Sequence, residues 1–199
     1  PPMVDLPQHA AQVALWRDLI VGNSAFADGF RVNLLTPYLI GYGLALPLSF
    51  LVSATTAVKL VLTGAFAAFV VSCRQLRREI GSDVRLDWLF IPSFFGFAYV
   101  WGFYTFLVAS PIVMQLVRFA WRHARSDGGV RHALPVVGIG VALLFSHGLA
   151  FLFAGLVGGM LVLAHAGSWR HLIRLGWPYA GLAVALMAMA VAARSADGS

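Results

Sequence analysis

The first residues able to do chemistry in this 199-residue chain stand in "VDLPQHAA", where Asp5 and His9 are four apart. On a helix that spacing puts both on one face. A carboxylate at a membrane surface can act as a general base toward a hydroxyl, and a neighbouring histidine can orient it or share its proton. Taken alone, the spacing reads more simply as a helix cap at Asp5 and an interfacial histidine at His9. As metal ligands the two make half a site, with no further ligand nearby in sequence.

Three further residues stand out by type and place. Lys59, the one lysine beside thirteen arginines, lies about a turn inside an apolar stretch. Charges there face a cavity, a partner or a substrate, and a phosphate is a natural partner; the competing account is a side chain snorkelling to the head groups. Arg31, in the loop before a short apolar segment, has the same two readings. His147, in "LLFSHGLAFL", is either a site residue or a structural histidine bonded across helices. His123, His132, His165 and His171 lie near basic loops and read as interface or charge balance. The single Cys73 allows no disulfide framework within the chain and has no metal spacing. Gly96, Gly102, Gly155 and Gly159 suit close helix packing, and no nucleotide-loop or soluble-hydrolase signature is present.

The elements that must hold these residues are set by composition. Hydrophobic residues make up 60% of the chain and charged residues 11%, against roughly a quarter charged in a soluble domain. Several apolar runs reach the ~20 residues that span a bilayer core. The chain reads as an integral membrane protein, all-α and polytopic. Its net charge of +6 comes from arginines spread over short loops, which marks topology and not nucleic-acid binding. The start on Pro-Pro, without Met or signal-like segment, reads as a fragment of a longer chain that lacks an earlier helix.

Residues 1–33 are expected to form a loop carrying an amphipathic interfacial helix over 4–20. Val13, Leu15, Trp16, Leu19 and Ile20 are its apolar positions, and Gln12, Arg17 and Asp18 oppose them. Residues 34–199 hold the membrane helices, in one transmembrane domain covering 1–199. Residues 36–51, with Pro37 and Pro47, make a short re-entrant or interfacial helix, and 54–76 a full span. Two short spans follow in 86–121 around Trp101-Gly102, another pair in 134–166 around Ser146-His147-Gly148, and a last span in 177–193, about six in all. Hairpins put Arg74, Arg77, Arg78, Arg85, Arg118, Arg122, Arg125, Arg131, Arg170 and Arg174 on one side, which the positive-inside rule makes cytoplasmic. Trp88, Trp121, Trp169 and Trp177 lie at that interface and Trp101 at the opposite one. Asp5, His9 and His147 are then extracytoplasmic.

The order of these features resembles the GT-C superfamily of membrane glycosyltransferases, in particular uncharacterised bacterial members using polyprenyl-phosphate-linked sugars. The likeness rests on "VDLPQHAA", "TPYLIGYGLALPL", "ATTAVKLVLTG…CRQLRREIG", "FGFAYVWGFYTFL" and "LLFSHGLAFL". It covers most of this chain, as the N-terminal half of a typical member. The resemblance implies a bacterial cytoplasmic-membrane enzyme that moves a sugar from the lipid-phosphate donor to an acceptor on the extracytoplasmic face. Asp5 would then be the first-loop aspartate, acting as base toward the acceptor or holding a divalent metal, the one cofactor the likeness admits. His9 would support it. Lys59, with Arg31, would meet the donor phosphate, and His147 would line the substrate site. Many members carry a second acid directly after the aspartate, whereas Leu6 stands here. The alternative reading is a non-catalytic polytopic protein, either a transporter fragment or a scaffold subunit.

Overall fold

The computed structural model describes residues 3–197, and among them every regular element is helical. They are α1 (Leu6–Val21), α2 (Leu39–Leu48), α3 (Ala54–Ile80), a short 3₁₀ helix (Val84–Leu86), α4 (Asp87–Phe94), α5 (Phe97–Trp101), α6 (Tyr104–Ala124), α7 (Val130–Ser146), α8 (Gly148–His165) and α9 (Trp169–Asp197). Four of these, α3, α6, α8 and α9, are long and apolar enough to cross a membrane; α2 and α7 are shorter apolar helices. The chain is an integral membrane protein by that measure.

The centre is α6, packed on α3 along one side and on α7 and α8 along the other. One apolar core joins Val13, Ala45, Val58, Leu62, Phe94 and Tyr104 from α1 to α4 and α6. A second joins Leu116, Val136, Leu143, Ala154 and Leu182 from α6 to α9. α3 and α6 run parallel, held by a polar ladder that would be costly in lipid if left unpaired. Gln115 Nε2 donates to Ser72 Oγ (2.9 Å) and Gln75 Oε1 (2.7 Å). Arg118 donates to Gln75 Oε1 (2.9 Å), and Arg122 meets Glu79 at 2.6 Å.

The bundle therefore has two chemically distinct ends. At one, the arginine end, Arg77 and Arg74 pair with Asp87 (2.6 and 3.2 Å), tying the close of α3 to the start of α4. There too His171 Nε2 bonds the Ser126 carbonyl (3.0 Å), docking α9 on the α6–α7 loop. At the other, the histidine end, the α5–α6 turn, the α7–α8 turn, α1 and α2 meet.

One expectation changes. The first arm of the 86–121 pair is not one span. Pro92 lies inside α4 and Gly96 is extended (φ −78°, ψ −155°), so the arm breaks into α4 and α5 before the turn at Gly102. A proline has no N–H for the helix ladder, and a break follows it readily. α1 is also tied to the bundle. Ala10 and Val13 are buried, and the helix packs on α2 and α3 while Ile20 and Val21 stay exposed.

Candidate functional site

Asp5 occupies the N-cap position of α1, with proline in the first helical turn, but its side chain makes no cap hydrogen bond. The expected cap is made by position only. Its backbone does other work: the Asp5 carbonyl accepts from His9 N–H (3.1 Å), and the preceding Val4 N–H donates to Val100 O (3.2 Å). The start of α1 is thereby laid against the α5–α6 turn. The half-buried carboxylate has no hydrogen-bond partner among the described residues.

His9, one turn on, is spent at both nitrogens. Nε2 lies 2.9 Å from the Gly102 carbonyl, and Nδ1 lies 2.8 Å from the Tyr42 hydroxyl. A carbonyl only accepts, so Nε2 carries the proton and Tyr42 donates to Nδ1 in the neutral ring. Burial pushes the His9 pKa below its usual value, outweighing the Gly102 bond and the nearby Asp5 charge, both of which raise it. Tyr104 closes the cluster, its hydroxyl donating to the Gly41 carbonyl at 2.8 Å and its ring 5.2 Å from that of His9.

The same short helix reaches His147. Tyr38, at the N-cap of α2, stands four residues before Tyr42, and Tyr38 meets the His147 ring edge-on at 5.6 Å. Phe106 holds the ring from the α6 side (5.5 Å), and Nδ1 accepts the Ala150 N–H at 3.2 Å, capping α8. Asp5, His9 and His147 thus share one end of the bundle, linked by the α2 tyrosines.

Lys59 and Arg31 do not join them. Lys59 is exposed on α3, off the face that buries Ala57, Val58, Leu62 and Ala65. Arg31 is exposed and lines a separate cavity of about 360 Å³ between α1, the 30–33 loop and α2, whose far wall includes Tyr42. Tyr42 and Tyr104 were not among the sequence candidates; the visible signal was the Tyr38/Tyr42 spacing in "TPYLIGYG".

Compared with family models, with curated proteins and with solved structures, this chain matches none. The site is therefore read from its own chemistry. Among the described residues no group of three His, Cys, Asp or Glu side chains is placed to hold a metal ion. With both nitrogens of His9 engaged, the pair that resembled half a metal site offers only one carboxylate, and no step is derived through a metal.

Neutral His9 gives a pH prediction. Its folded-state pKa is below that of the unfolded chain, so protons bind the unfolded state more readily, and stability falls as pH drops below about 6.5. In lipid nanodiscs, the midpoint of thermal unfolding is expected to drop between pH 7.5 and 5.5. In His9→Gln, where nothing titrates at this position, the drop is expected to shrink. An equal drop in both proteins would remove His9 from the pH response.

Proposed function

We propose that this protein is a membrane glycosyltransferase-like enzyme that moves a sugar from a polyprenyl-phosphate donor to an acceptor hydroxyl at the extracytoplasmic face of a bacterial cytoplasmic membrane. The single observation that carries the reading is the Asp5 carboxylate, half-buried, without a hydrogen-bond partner, and fixed by its backbone at the histidine end. Placing the arginine end in the cytoplasm follows the positive-inside rule and puts Asp5 outside. With α7 and the broken α4–α5 arm counted beside the four long helices, the chain crosses about six times.

In the proposed step Asp5 takes the acceptor hydroxyl proton. The oxygen then bonds the anomeric carbon, and the carbon–oxygen bond to phosphate breaks, the electron pair leaving with polyprenyl phosphate. His9 is a positioning residue, because its nitrogens hold the Gly102 turn and Tyr42 and have no lone pair left for relay. Lys59 sits about 8 Å from the start of α3 at 1.5 Å per residue, a depth from which a lipid-facing lysine reaches the phosphates of the head-group layer.

The outward direction of Lys59, exposed on α3 off its packed face, favours a second reading as a non-catalytic scaffold. A transfer assay separates the two. Envelope membranes containing the protein are incubated with polyprenyl-phosphate donors carrying a radiolabelled sugar, taken from a panel of hexoses and pentoses. Sugar transfer predicts label leaving the lipid-extractable fraction above vector membranes for at least one donor. No transfer from any donor, with the protein inserted at normal levels, would leave the scaffold reading standing.

A further inference from the structure

At the arginine end, away from Asp5, a cavity of about 760 Å³ opens between the close of α3, the end of α6 and the start of α7. Arg122, Arg125, Arg131 and His132 supply its cations, and Phe119 and Trp121 its aromatic wall. Two acids also line it, and both are engaged. Glu79 is shared between Arg122 (2.6 Å) and Arg118 (3.5 Å), while Asp127 Oδ1 accepts the Gly129 N–H (3.1 Å) within its own loop. Arg125 and Arg131 have no acidic partner within 4.0 Å among the described residues. Arg125 is nevertheless held in place, its guanidinium 5.3 Å over the Trp121 ring, and Arg122 lies 5.7 Å from the Phe119 ring.

The geometry points to this cavity as a binding site for the phosphate of an anionic membrane-lipid head group. Two uncompensated guanidiniums offer planar donor forks that match phosphate oxygens. The aromatic wall suits an amphiphile over a small inorganic ion. The cavity also sits where two membrane-crossing helices, α3 and α6, end, which is the level of the head groups. The site is independent of sugar transfer, and its test does not use that activity.

Native mass spectrometry of the purified protein, with phosphatidylglycerol and phosphatidylcholine supplied in equal amounts, tests the assignment. With the two uncompensated arginines together contributing about 2 kcal/mol toward anionic lipid, phosphatidylglycerol is expected to be retained about thirtyfold over phosphatidylcholine. Arg125→Gln with Arg131→Gln is expected to bring the ratio to within about twofold, and Arg131→Gln alone to fall between. The control, Arg85→Gln with Arg170→Gln, removes the same charge from exposed positions outside the cavity and is expected to keep the preference. Equal loss in both pairs, or retention in the cavity pair, would overturn a built site. A final arm offers inorganic phosphate alone: arginine-dependent binding of phosphate without lipid retention would overturn the lipid source and assign the cavity to a soluble phosphate.

Discussion

Asp5→Asn is expected to lower label transfer from the polyprenyl-phosphate donor by at least about 10²-fold, the lower end of what a positioned general base supplies. The substitution keeps shape and size and removes only the ability to take a proton. Its cost to folding is expected to be small for a reason specific to this site. The Asp5 side chain makes no cap bond, ion pair or other hydrogen bond among the described residues, so asparagine forfeits none. What Asp5 contributes to the fold, the carbonyl that accepts from His9 N–H, belongs to the backbone and survives the change. Insertion level and unfolding midpoint should match wild type while transfer is lost. Transfer within about twofold of wild type would remove Asp5 from the role of base, whatever the fate of the assay in other variants.

The membrane class and the two-ended charge layout were legible in the chain because both rest on local composition. Apolar runs near 20 residues and arginines confined to their flanks survive into any packing of the helices. The pivot at Gly102 was legible for the same reason, but the break at Pro92 and Gly96 lay hidden inside a continuous apolar run, where hydropathy does not register a missing N–H. The phase of α3 was hidden more deeply. In a soluble helix the polar stripe shows which face is outward. In α3 both faces are apolar along most of their length, so whether Lys59 points into the bundle or into lipid depends on which neighbours pack on Ala57, Val58 and Leu62.

Spacing placed His9 on the face of Asp5 but could not say what His9 does. Its two partners lie 33 and 93 residues away, at Tyr42 and Gly102, and no local pattern links them. The Arg125 and Arg131 pair shows the converse. Both read in the sequence as topology signals, yet the cavity they line exists only because α3, α6 and α7 converge there.

Gly102→Ala is expected to be the most disruptive single-methyl change at the histidine end. Gly102 closes α5 in the left-handed region (φ +86°), which costs a residue with a side chain about 1–2 kcal/mol. A Cβ there would also stand 2.8 Å from Asp5 N, 3.2 Å from Asp5 Cβ and 3.3 Å from Asp5 Cα. The closest of these is backbone, so no rotamer change relieves it, and the start of α1 must move off the turn. That movement strains the Val4–Val100 bond and the His9 Nε2 bond to Gly102 O together. Gly81→Ala supplies the comparison, since Gly81 is also left-handed (φ +73°) but has nothing within 4 Å of an added Cβ. It should therefore carry the backbone cost alone. Thermal unfolding in nanodiscs is expected to show Gly102→Ala less stable than Gly81→Ala. Transfer should fall with it, since the base is carried by the backbone that the methyl displaces, whereas Gly81→Ala should retain transfer. Equal stability losses in the two variants would mean that contact with the α5–α6 turn does not hold Asp5, and the positioning of the site would have to come from α2 alone.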